Sequence, residues 1–116
     1  MNRGEVWQVA FDPTVGAEIQ KTRPAVIIST DAAGILPLRV VVPFTGWQPE
    51  FAAAPWLVRV DPSSDNGLTK ASAADAFQVK SFSVQRILRR LGAVSDQDLR
   101  RIVLAVGEII DHPRTP

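Results

Sequence analysis

The chain has 116 residues, a formal net charge of +1, and 46% hydrophobic and 22% charged residues. This is the balance of one ordinary globular domain able to bury about two-thirds of its unfolded surface, which excludes a disordered chain and leaves net charge silent about nucleic acid. There is no cysteine and the one histidine, His112, lies in the segment 112–116, which reads as a frayed tail; disulfides, thiolate zinc sites and histidine-based nuclease chemistry therefore have no donors.

Along the chain, EVWQVAF (5–11) alternates Val6, Gln8 and Ala10 against Trp7, Val9 and Phe11, the period of a strand. Asp12-Pro13 ends it, and 12–23 is a loop. Pro24 opens a second strand, PAVIIS, since proline is tolerated at a strand's first position. Asp31 to Gly34 is a turn or a single helical turn. The β-branched run LRVVVPFT (38–45) is a third strand buried on both faces, in which Pro43 needs an edge or a bulge. The loop GWQPEFAAAP follows, then a fourth strand over 56–60, ended by DPSSDNG. Residues 73–79 are read as a fifth strand and 87–94 as a sixth. Ser95 with Asp98 three residues on makes a capping-box-like start to a helix of about four turns. Leu99, Ile102, Val103, Val106, Ile109 and Ile110 form its apolar stripe. Short strands closed by one terminal helix predict a mostly β, small antiparallel barrel filling 1–111 as one domain. No apolar run reaches the roughly 18 residues of a membrane span and no signal peptide leads the chain, so the expected location is the cytoplasm.

Ten of the thirteen basic residues are Arg, whose planar fork suits phosphate oxygens, although an arginine-rich proteome explains the count as well. The arrangement of motifs says more. RGEVWQVAFDPTVGAEIQKTRPAVIIS, VVVPFTG and GLTKASAADAFQVKSF occur in this order. They resemble three blocks of the MazF/PemK toxin family: R-G-[DE]-[IV]-W with D-P-T-x-G-x-E and T-R-P; then P-x-T; then G-L-x-[KR]-x-S with Q-[IV]-[RK]-[ST]. The resemblance spans nearly the whole chain. It implies an SH3-like barrel and a homodimer. It also implies the toxin half of a type II toxin–antitoxin system: an endoribonuclease without metal or cofactor that cuts single-stranded RNA, leaving 2′,3′-cyclic phosphate and 5′-hydroxyl ends. An acidic MazE-like antitoxin is the implied protein partner, and Arg86, Arg89 and Arg90 are candidate contacts for it. Because the RNA's own 2′-hydroxyl attacks, such a protein supplies alignment, charge stabilisation and proton transfer, not a nucleophile. The same kind of barrel serves CcdB-type toxins, which bind DNA gyrase and cleave nothing; that is the alternative reading.

By this resemblance Arg23 of T-R-P is catalytic, stabilising charge on the phosphate. By position alone the better reading is a surface salt-bridge partner ahead of a strand, and the motif reverses that. Thr45 of P-x-T matches a hydroxyl that binds the phosphate, where spacing alone gives an ordinary strand-end threonine. Glu18 of G-x-E is the third catalytic candidate, able to orient Arg23 or position a proton; otherwise it is a solvated loop charge. Gln78, Lys80, Ser81 and Lys21 are assigned to RNA contact. Trp47 and Phe51 either stack on bases or pack on the barrel, while Trp7 is structural. Two departures stand out. Ala17 and Ile19 replace a hydroxyl and an amide common beside the loop glutamate, and Phe77 replaces an acid often found before the later Gln. Asp75, read as lying on the same strand face as Phe77, is the possible substitute general base.

Overall fold

The computed structural model describes residues 1–111, so the expectations for His112 and the 112–116 tail lie outside the described residues. Seven strands and one helix follow one another: β1 (Glu5–Ala10), β2 (Thr22–Ile27), β3 (Leu38–Gly46), β4 (Leu57–Val60), β5 (Ser72–Asp75), β6 (Lys80–Ser83), β7 (Ile87–Ala93) and α1 (Asp96–Ile109). All pairings are antiparallel, in the order β4-β5-β3-β2-β1-β7, with β6 on β3 as well.

β3 organises the barrel by holding two partners in succession. Leu38–Val41 pair with β6 and Phe44–Gly46 pair with β5. Pro43 falls at the changeover, where a missing N–H breaks no ladder bond to either. Pro24 is the third residue of β2, which starts earlier than the sequence suggested. β3 joins β2 only from Ala25 onward, so the proline has a ladder partner on the β1 side alone.

The two-residue period puts Val6, Val26 and Val42 side by side across three strands on one face. There they meet Phe44, Val58, Val60 and the helix residues Ile102 and Ala105 in one buried cluster. Val9, Ala25, Ile27 and Val41 form a second cluster on the opposite face with Phe82 and Phe11, whose rings meet edge to face at 5.1 Å. Ser95 caps α1 by accepting from the Asp98 N–H at 3.1 Å, as its position predicts. The stripe Leu99, Ile102, Val106 and Ile109 packs inward. Ile110 does not follow: it lies past the last helical residue and is exposed.

Glu5 ties the first strand to the last. Partial burial pushes its carboxyl up, but hydrogen bonds from the Asn2 N–H, the Trp7 indole and Arg90 outweigh that and hold it down at about 2. Trp7, structural as expected, packs on the second cluster.

The predicted fifth strand over 73–79 is a correction. The strand stops at Asp75, whose side chain accepts from the Phe77 N–H and caps a single 3-10 turn, Ala76–Gln78. The chain then re-enters the barrel as β6, an element absent from the sequence reading. Asp75 and Phe77 therefore do not share a strand face. No helix among the described residues is long and apolar enough to cross a membrane.

Candidate active site

β2 and β3 stop pairing at Ala25 and Pro43, and Arg23 and Thr45 stand two residues further along each strand. Both line a cleft of about 110 Å³ together with Thr69, Lys70 and Ser72. Its lining holds two cations, three hydroxyl side chains and no carboxylate, which is the composition of an anion site. Arg23 is half-buried, and its Nε donates to the Gln20 carbonyl at 3.0 Å, fixing the guanidinium plane. Its two terminal nitrogens have no hydrogen-bond partner among the described residues, so the fork that suits two phosphate oxygens is free. The approach to Arg23 is set by Lys21, whose φ of 67° turns the chain sharply into β2. The Lys21 carbonyl accepts from the Phe11 N–H at 2.8 Å, which closes the 12–21 loop at its base.

A second group of motif residues behaves differently. Glu18 forms an ion pair with Lys80 and accepts from the Val15 N–H at 2.7 Å. These contacts, Lys80 foremost, hold its carboxyl below the usual range. Gln78 uses both ends of its amide on the same loop, accepting from the Ile19 N–H at 3.3 Å and donating to the Ala17 carbonyl at 3.1 Å. Ile19, the departure from a family amide, packs on the second core cluster. Glu18 thus faces Lys80 and not Arg23, against the first of the two roles that the resemblance offers it, orienting Arg23 or positioning a proton. Ser81 is exposed on β6 opposite Val40.

Asp75 follows Ala73, the partner of Thr45, by two residues and so shares its sheet face. Burial raises its carboxyl above the ordinary value, against the opposing hydrogen bonds from the Phe77 and Gln78 backbone. Phe77 is exposed and meets Trp56 edge to face at 5.8 Å, beside α1. Trp47 and Phe51 likewise meet at 5.8 Å, with Arg59 over the Trp47 ring at 5.4 Å. They line a separate groove of about 390 Å³ against α1, not the Arg23–Thr45 cleft. Of the arginine trio, Arg86 donates to the Ala10 and Asp12 carbonyls and Arg90 pairs with Glu5, while Arg89 has no partner among the described residues.

The sequence reading passed over Thr69, Lys70 and Ser72, although GLTKAS was in plain view among the motifs. Their loop is rigidly built. Buried Asn66 donates to the Asp61 carbonyl at 2.9 Å and accepts from the Ser63 and Leu68 N–H groups, both at 3.0 Å. Gly67, at φ 71°, lets the loop press on β7; a Cβ there would stand 2.3 Å from the Leu91 carbonyl oxygen.

The small antiparallel barrel that carries this cleft has counterparts in fold among solved structures. MazF from Deinococcus radiodurans superposes with a TM-score of 0.79 at 20% identity, covering 96% of both chains. An endoribonuclease from a mycobacterial species, solved in complex with its cognate antitoxin, gives 0.77 at 19% identity and 99% coverage of each chain. In sequence, Endoribonuclease MazF9 of Mycobacterium tuberculosis is 36% identical over 109 residues, 88% of this chain and 89% of that protein. Residues 2–110 match the model of the PemK-like, MazF-like toxins of type II toxin–antitoxin systems, and the chain belongs to that family.

Proposed function

We propose that the protein is an endoribonuclease toxin whose Arg23–Thr45 cleft holds the scissile phosphate of single-stranded RNA. The observation that carries this reading is the meeting of a fixed, uncommitted guanidinium and a hydroxyl in a cleft without carboxylates. The RNA 2′-hydroxyl attacks the adjacent phosphorus, the bond to the 5′-oxygen breaks, and a 2′,3′-cyclic phosphate and a 5′-hydroxyl result. Arg23 stabilises the charge that builds on the phosphate oxygens and the Thr45 hydroxyl donates to one of them. Asp75 lies outside the cleft lining, half-buried on the same sheet face as Thr45; it takes the proton leaving the 2′-oxygen through an intervening water, and water returns one to the 5′-oxygen. Glu18, Gln78 and Lys80 act by holding the 12–21 loop that delivers Arg23. Lys21 and Ser81, both exposed, contact flanking backbone. Bases beyond the cut reach Trp47 and Phe51, which follow the cleft residue Gly46 in the chain.

The unit 1–111 acts as one domain, in the cytoplasm where messenger RNA lies, and as a homodimer. The exposed apolar pair Trp56 and Phe77, in contact with each other beside α1, supports self-association. An acidic antitoxin neutralises it, as the complex of the mycobacterial relative suggests. The gyrase-binding alternative is disfavoured, since relatives matched over most of their length are named endoribonucleases or probable endoribonucleases. Incubating the protein with a long natural RNA in EDTA tests the reading. Discrete fragments with 5′-hydroxyl ends are expected; 5′-phosphate ends, or cleavage restored only by magnesium, would overturn it.

A further inference from the structure

We infer that Lys70 is a second phosphate-binding cation of this cleft, acting beside Arg23 on the RNA backbone; the inference rests on the ribonuclease reading above. Lys70 lines the cleft with Arg23 and Thr45, and its ammonium makes no ion pair among the described residues. Its reach is set by Gly46, the residue after Thr45. A Cβ at that position would stand 3.2 Å from Lys70 Nζ and 3.4 Å from Cε, so the lysine chain lies across the bare backbone of Gly46, in the cleft that Thr45 and Arg23 also line. The backbone beneath it is fixed on both sides. Gly46 pairs with Ser72, the Trp47 N–H donates to the Ala71 carbonyl at 3.0 Å, and the Ser72 hydroxyl donates to the Lys70 carbonyl at 2.9 Å.

A surface lysine normally finds an acid or stays in bulk water. Here it is brought to a carboxylate-free cleft that already contains an arginine. Two like charges drawn together cost stability unless a shared anion joins them, and the RNA backbone supplies that anion. Arg23 offers a planar fork, while the lysine ammonium is a point charge with three rotating donors that follows the phosphate as its geometry changes. Binding and rate enhancement are therefore both expected from Lys70.

The test compares wild type, Lys70→Gln, Lys70→Arg and Gly46→Val. Single-turnover cleavage of one long natural RNA is measured together with the salt dependence of binding to a DNA oligonucleotide copied from a mapped cut site, which lacks the attacking hydroxyl. Lys70→Gln is expected to cut about tenfold or more slowly and to flatten the slope of log affinity against log salt by about 0.7, the loss of one single-strand phosphate contact. Lys70→Arg is expected to recover most of both. Gly46→Val, which displaces the lysine chain without removing its charge, is expected to behave as Lys70→Gln does while circular dichroism stays unchanged. Should wild type cut RNA while Lys70→Gln matches it in rate and salt slope, the Lys70 assignment falls alone. Should wild type leave RNA intact, the ribonuclease reading falls and takes this one with it.

Discussion

Two groups of motif residues sit on either side of the β2 entrance and use their polar atoms in opposite ways. Around the 12–21 loop, Glu18, Lys80 and Gln78 are engaged with one another's segments: an ion pair, two amide bonds and a backbone bond to Val15. In the cleft, the terminal nitrogens of Arg23 and the ammonium of Lys70 have no partner among the described residues. The first group is a scaffold whose interactions are complete in the free protein. The second is left open, and open cationic groups held in place by a finished scaffold are what binding a phosphate requires. The same motif blocks supply both groups, so a residue's membership of a motif says that it matters without saying how.

The comparison is broken most directly at Arg23. Arg23→Ala should lower the single-turnover cleavage rate by about a hundredfold or more while leaving thermal stability nearly unchanged, because among the described residues the side chain gives the fold one hydrogen bond, to Gln20. Thr45→Val should act in the same direction. If instead stability drops and the residual folded protein cuts normally, Arg23 belongs with the scaffold.

A scaffold residue should do the reverse. Gln78→Ala leaves the Ile19 N–H and the Ala17 carbonyl without their partner and should destabilise the protein by about 1–2 kcal/mol in urea unfolding. Any loss of rate should accompany greater nicking of the 12–21 loop by trypsin. The Glu18–Lys80 pair adds a pH signature. The Glu18 carboxyl is lowered from 4.5 in the folded protein, so the pair is intact above that value and is lost as pH falls below it. Loop nicking by an acid-active protease should rise over that range in wild type and be flat in Glu18→Gln. A slow cut rate in Gln78→Ala with an intact, protease-resistant loop would move Gln78 into the RNA-contacting group.

The smallest effect is expected at Lys21, which belongs to both groups. Its φ of 67° strains a side-chain-bearing residue, so Lys21→Gly should stabilise the fold, by no more than about 1 kcal/mol. Removing the charge should weaken RNA binding by less than about tenfold, since one exposed flanking cation is lost. A gain in stability with no change in salt slope would make Lys21 purely a turn residue.

Much of this protein is written locally. The alternation of Val6 and Val9 in β1, the β-branched run of β3, and Ser95 ahead of the α1 stripe each specify their element through a period or a cap that the local chain carries. Arg23 and Thr45 are legible as candidates because their motif blocks are short and ordered, whereas Asp75 is reached through a strand face shared with Phe77 that the fold does not have. The break at Asp75 was not legible, because an extended run and a capped 3-10 turn share the composition SAADAFQ until the Asp75 side chain chooses the Phe77 N–H. Lys70 stands at the [KR] position of its motif block, but its place in the cleft is not legible, because it depends on a bare Gly46 more than twenty residues away in the chain. Local sequence sets dihedral preferences and apolar faces. Which charges end up answered and which are left for a ligand is decided only when distant segments meet, because an ion pair or an anion cleft is a property of through-space distance.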